Sequence, residues 1–228
     1  MNSFNSILWC FLSEKDFTNQ ILPAQSLSLM VVTQFMFSFP ALALLQEQSE
    51  IEDSPLHGIT KTVQYLQNLG PDHIDLVCEY AGKVLDKSPT DGLCIFIDDI
   101  LEVESWPRVR VFDFLMHRNK SVVIPYLEHI IGAWKDTNFL FHNALILRYK
   151  DLLIELQNEA ESQETTEQIV KTKSKLKEML QTSQSFTAET LLPKFPASSL
   201  FEERALLLGS LGKHKEALTL YLYQVRSI

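Results

Sequence analysis

The sequence predicts an all-α protein, an α-solenoid of stacked helical hairpins, and three observations carry that expectation. Apolar residues recur three and four positions apart through a succession of short segments, the period of one helix face. Only 7 glycines occur in 228 residues, too few for an all-β fold rich in tight turns. The third is the stretch Phe201 to Val225, FEERALLLGSLGKHKEALTLYLYQV, which reads as two amphipathic helices joined by a Gly-x-x-Gly turn. Ala205, Leu206 and Leu208 supply the apolar side of its first helix, and Glu202, Glu203 and Arg204 the wet side. Gly209 stands where a helix end favours positive φ, with Gly212 as a second permissive point. Ala217, Leu218, Tyr221 and Leu222 mark the apolar face of the second helix. A hairpin this small cannot bury that face alone, so it is expected to stack on others like it.

Taken in order, residues 1–40 form an atypical apolar segment. No charged residue occurs from Phe17 to Gln46, and Leu27 to Leu45 is long enough to span a bilayer as a helix. Pro40-Ala41-Leu42-Ala43 would suit the end of a secretory signal, but the run before it lacks a basic start. The alternative to a span or a signal is a buried or amphipathic helix, or a non-native start to the chain.

Residues 41–157 read as helical repeats. A short stripe, Ala41 to Gln48, is followed by a helix over Ile59 to Leu69 carrying Val63, Leu66 and Leu69, stopped by Gly70-Pro71. Pro71 to Lys87 follows, with a seam of Ile74, Val77, Cys78, Ala81 and Leu85, and Pro71 in its first turn. Ser88-Pro89-Thr90-Asp91 caps the next helix, through Ile97. Asp98 to Ser105 is an acidic connector, and Ser105 is expected to cap Trp106 to Met116, whose inner stripe is Val109, Phe112 and Leu115 or Met116. The next helix, Asn119 to Trp134, holds Val123, Tyr126, Leu127, Ile130, Ile131 and Trp134 inside, with Pro125 in its first turn. Thr137 caps the longest run, Phe139 to Glu159, striped by Phe141, Leu145, Tyr149, Leu152 and Leu156.

From residue 158 to 185 Glu, Gln, Ser, Thr and Lys dominate, the composition of a polar mobile insertion. It is partly helical, because Ile169, Leu176, Met179 and Leu180 support a solvated helix over Glu167 to Leu180. Residues 186–228 are closing helices: Thr187 to Leu192, broken by Pro193 and Pro196, then the final hairpin capped by Ser198 or Ser199. A chain that stops straight after such a helix reads as a segment of something longer.

Composition removes several functions. A net charge of -9 argues against a nucleic-acid partner, since phosphate binding runs on excess Lys and Arg. The 3 cysteines, Cys10, Cys78 and Cys94, fit neither a disulfide framework nor a C-x-x-C metal pair. A reducing compartment follows, with Cys78 and Cys94 as small buried hydrophobes. The six histidines, His57, His73, His117, His129, His142 and His214, include no i,i+4 pair, so His129 and His142 read as satisfied helix residues and not as ligands. Asp98-Asp99 lacks the spaced oxygens of a calcium loop and reads as a solvated turn. Gly209-x-x-Gly212-Lys213 joins two helices and is too short for a phosphate loop. Lys171, Lys173, Lys175 and Lys177 alternate, which spreads them over more than one helix face amid Glu and Gln. No catalytic, cofactor-binding or metal-ligating residue is assigned, and neither an enzyme nor a cofactor is expected.

Six strings in order carry more than periodicity does: TVQYLQNLG (62–70), DGLCIF (91–96), EVESWPRVRVFDFL (102–115), IPYLEHII (124–131), FHNALILRY (141–149) and FEERALLLGSLGKHKEAL (201–218). Together they resemble the middle of the vacuolar sorting protein 39 family, the Vam-six-like subunit of the HOPS tethering complex, over roughly residues 41–225. The related transforming growth factor-β receptor-associated protein of the CORVET complex shares the YLEH element and is the alternative. The resemblance implies a solenoid of clathrin-heavy-chain-repeat type. It also implies a non-catalytic scaffold in vesicle-mediated transport, where late endosomes or autophagosomes fuse with lysosomes. It implies partnership with other tethering subunits, a late-endosomal Rab GTPase engaged through parts this sequence lacks, and a cytoplasmic chain peripheral on the late endosome or lysosome (vacuole). The family's N-terminal β-propeller and cysteine-rich zinc-binding end are absent from the sequence, and residues 1–40 match nothing in it.

Overall fold

The computed structural model describes residues 59–158, 163–197 and 199–223. All its regular elements are helices, and no strand occurs among the described residues. The apolar segment 1–40 (with the candidate span 27–45), the helix expected over Ala41–Gln48, Cys10 and His57 lie outside the described residues. The chain divides into two compact units between Pro107 and Arg108.

In the first unit, α1 (Thr60–Gln67) turns at Gly70, whose φ of 76° is open to glycine and costly for other residues. Pro71 opens a single 3-10 turn, Pro71–His73, that leads into α2 (Ile74–Lys87). Val77, Cys78, Ala81 and Leu85 are buried as the spacing predicts, Ile74 only half-buried, and Tyr80 and Val84 join them. The Ser88 side chain accepts from the Asp91 N–H, and Pro89 occupies the first turn of α3 (Pro89–Ile97). α1, α2 and α3 all touch one another around Leu66, Leu85 and Ile95, each fully buried. Removing such a side chain from water stabilises by about 1.5–3 kcal/mol.

The acidic connector is more ordered than its composition suggests. Leu101–Glu104 forms one helical turn, α4, because Val103 can bury there beside the Phe96–Trp106 edge-to-face pair. Ser105 does not cap the following helix: its hydroxyl donates back to the Glu102 carbonyl at 2.6 Å, closing α4. Pro107 explains the shift, since the residue before a proline resists helical φ/ψ.

The second unit therefore starts its first helix, α5 (Arg108–Arg118), two residues later than expected. Its buried residues are Val111 and Leu115, and Val109 is 51% exposed. Asn119 caps a 3-10 turn, Lys120–Val122, before α6 (Val123–Gly132), with Pro125 in the first α-turn. Ile131 is half-buried, and Trp134 lies beyond the helix end. α7 (Phe139–Asn158) is capped by Asn138, whose Oδ1 accepts from the Leu140 N–H at 3.0 Å, and not by Thr137. Its inner face is Phe141, His142, Leu145, Ile146, Tyr149 and Leu153; Leu152 and Leu156 sit half-buried on its margin.

The polar run forms a longer helix than expected, α8 (Gln163–Thr182), and it is not wholly solvated, because Thr172, Leu176 and Leu180 bury. α9 (Ala188–Leu191) continues into a 3-10 turn, Leu192–Lys194, so Pro193 is accommodated where a break was expected. α10 (Phe201–Ser210) has no serine cap; Leu200 precedes it at φ 55° with no side-chain bond, and Ser198 is outside the described residues. α10 ends in a Schellman turn: Gly212 takes φ 73°, Lys213 N–H donates to Leu208 O at 2.9 Å and Gly212 N–H to Gly209 O at 3.0 Å. Gly209, expected at positive φ, is an ordinary helical residue. Among the described side chains of α11 (His214–Tyr223) only Ala217 is buried, with Leu220 packed beside it against Ala205 and Leu208. Leu218 and Leu222 are 59% and 53% exposed and Tyr221 is exposed too, so of the expected stripe only Ala217 is covered. Along this unit each helix touches a neighbour in sequence, α5–α6, α6–α7, α7–α8, α9–α10 and α10–α11, and α8 also meets α10.

Candidate functional site

The polar groups of the second unit gather into three clusters that join helices. The first sits where α5, the α6–α7 loop and α7 meet. Arg108 contacts Asp136 at 2.5 Å and lies 5.0 Å over the Trp134 ring, while its backbone carbonyl accepts from the Tyr126 hydroxyl at 3.3 Å. Burial raises the Asp136 carboxyl, but the Asn138 N–H and the Arg108 guanidinium outweigh it and hold the carboxyl below its ordinary value. Burial pushes the Tyr126 phenol well up, so it stays a neutral donor. His142 is buried with both ring nitrogens engaged, Nε2 with the Asp136 carbonyl at 2.8 Å and Nδ1 with Ser183 Oγ at 2.7 Å. That matches the reading of His142 as a satisfied helix residue. His129 departs from it: its Nε2 is buried without a hydrogen-bond partner, because the ring meets Trp134 edge-on at 4.9 Å.

The second cluster is Glu128, which accepts from the Tyr149 hydroxyl and pairs with Lys175 Nζ at 2.5 Å. Burial and the Glu128 carboxylate push the Tyr149 phenol up. The third joins α8 to α10, where Lys173 (3.5 Å) and Lys177 both pair with Glu202. The Lys177 hydrogen bond holds Glu202 below its ordinary carboxylate value. Lys173 and Lys177 thus serve α10 and Lys175 serves α6, so three of the four alternating lysines make cross-helix pairs, while Lys171 is exposed. Glu203, assigned to the wet side, is fully buried, and neither carboxylate oxygen has a hydrogen-bond partner. Burial raises its carboxyl. No sequence signal marked it, since Glu202 and Glu203 look alike in the sequence.

In the first unit the Asp98-Asp99 turn is tied down: the buried Gln67 amide donates to Asp98 Oδ2 at 2.7 Å and to the Cys94 carbonyl at 2.9 Å. Cys78 is buried as expected, but Cys94 is only half-buried; burial, then Asp98 and Asp91, raise its thiol. Among the described residues no group of three His, Cys, Asp or Glu could hold a metal ion, and no helix is long and apolar enough to cross a membrane. What these clusters can do is fix one helix against the next.

Residues 38–85 match the family model of vacuolar sorting protein 39 domain 1. The vacuolar protein sorting-associated protein 39 homolog of Drosophila melanogaster is 45% identical over 183 residues, 80% of this chain and 21% of the relative. The Vam6/Vps39-like proteins of Mus musculus and Homo sapiens are 42% and 41% identical, over 82% and 80% of this chain and 22% of each relative. The chain belongs to the vacuolar sorting protein 39 family. It spans about a fifth of the length of these relatives. The human transforming growth factor-beta receptor-associated protein 1 matches at 27% identity over 67% of this chain and 18% of its own length. No solved structure matches.

Proposed function

We propose that the chain is a non-catalytic scaffold segment of a HOPS-like membrane-tethering subunit, built as an α-solenoid of clathrin-heavy-chain-repeat type. The observation that carries the reading is its 41–45% identity, along four-fifths of its length, to proteins named for vacuolar sorting. The sequential contacts of the helices suit a stacked scaffold. So does the use of charged and polar groups as braces between helices. In this reading the chain is cytoplasmic and peripheral on late endosomes or lysosomes, held there by other tethering subunits. The lower identity to the receptor-associated relative favours the HOPS over the CORVET assignment.

The test is affinity purification of the chain, tagged at Ile228, from cells, followed by mass spectrometry. Recovery of other tethering subunits is expected; recovery of chaperones alone would remove the scaffold role from these residues. Retention in the membrane pellet after alkaline carbonate extraction, lost on deleting residues 1–40, would instead support anchoring through 27–45.

A further inference from the structure

α8 is held differently from the helices it lies on. It has 20 residues, as α7 does, yet buries only Thr172, Leu176 and Leu180, where α7 buries six side chains. None of its buried residues precedes Thr172, and Val170 is 65% exposed. What the apolar contact lacks is supplied by charge: Lys175 on Glu128 of α6, and Lys173 and Lys177 on Glu202 of α10. Next to Glu202 on α10, Glu203 is buried with no donor to either oxygen, and Lys173 and Lys177 of α8 act on its charge. The C-terminal end is fixed by different means. Ser183 Oγ meets His142, and Thr187 N–H donates to Asn143 Oδ1 at 2.9 Å.

We infer that α8 is a charge-latched strap, hinged at Ser183 and released from its Gln163 end, and not a fixed layer of the core. Ion pairs exposed to this degree contribute little individually and are screened by salt. The strap therefore opens as a unit at a lower free energy than the α6–α7 layer beneath it.

Hydrogen exchange on the intact chain tests this. Raising salt from about 0.1 M to about 1 M shortens the screening length from about 10 Å to about 3 Å. Backbone amides of α8 should then exchange about 3- to 30-fold faster, a range set by three weak pairs, while those of α7 hold their rate. The double variant Lys173→Gln, Lys177→Gln, which keeps the Lys175–Glu128 pair, should show a smaller acceleration of α8 alone at low salt. A common rate for α7 and α8 that moves together under both treatments, or an α8 indifferent to both, overturns the strap.

Discussion

A Cβ placed on Gly92 would stand 2.9 Å from the Cα of Leu85, and closer still to the Leu85 side chain. α2 and α3 therefore approach backbone to backbone at this point, and the closeness depends on one missing methyl group. Gly92→Ala should lower stability by about 1–3 kcal/mol, the usual range for overpacking. Gly209→Ala is the control, because nothing lies within 4 Å of the position its Cβ would take and the residue is helical. Thermal unfolding of both variants decides it; equal melting temperatures would mean that the helices part without strain.

Backbone strain gives a second contrast. Lys135 and Leu200 both sit in the left-handed region, at φ 53° and 55°, where a Cβ meets the neighbouring carbonyl. Lys135 is exposed, so Lys135→Gly should stabilise by up to about 1 kcal/mol. Leu200 is only 6% exposed, so Leu200→Gly relieves the same strain but loses a buried side chain and should destabilise by about 1–3 kcal/mol. Urea midpoints moving in the same direction would show that the backbone term was misjudged.

The features legible in the sequence were those set by local chemistry. Ser88-Pro89 caps a helix, Gly70 turns one, and Gly212 closes one, because each acts on its own backbone. The features that misled were those set by a neighbour. Ser105 looked like a cap until Pro107 shifted the start of α5, and Val109 fitted an apolar stripe whose buried side turned out to be Val111 and Leu115. Leu218 and Leu222 share a helical face and are both exposed, and Glu203 carries a charged residue's name in a core position. Helical periodicity tells which residues share a face but not which face is covered.

Glu203 makes stability depend on pH with a definite sign. The folded chain holds its carboxyl above the ordinary value near 4.3 that the unfolded chain keeps, so the folded state binds the proton more tightly. The contribution is complete below that ordinary value and is lost as pH rises through the raised one. Lys173 and Lys177 on α8 pull the group down and Glu202 beside it pushes it up, but burial outweighs them. The other charged groups on the packed elements are Glu164, Glu167, Lys171, Lys175 and Glu178 of α8, then Glu189, Lys194, His214, Lys215 and Glu216, with Arg204 on α10 itself. Arg204 is turned to the Leu192 and Phe195 carbonyls. Glu203→Gln should therefore gain on the parent protein as pH rises from about 4 to 8. Urea unfolding across that range reads the gap, and a gap constant with pH would place Glu203 in a solvated setting.

His142 shows which of its nitrogens carries the proton, and that gives the last test. A carbonyl only accepts, so Nε2 donates to Asp136 O, and in the neutral ring the Ser183 hydroxyl donates to Nδ1. Ser183→Ala leaves a buried ring nitrogen without its donor and should cost about 1–3 kcal/mol. His142→Ala removes both bonds and opens space beneath the α6–α7 loop, so it should cost more. The two losses share one interaction, and the double variant should fall short of their sum by about 0.5–1.5 kcal/mol. Strict additivity in denaturant unfolding would mean that the histidine and the serine stand side by side without bonding.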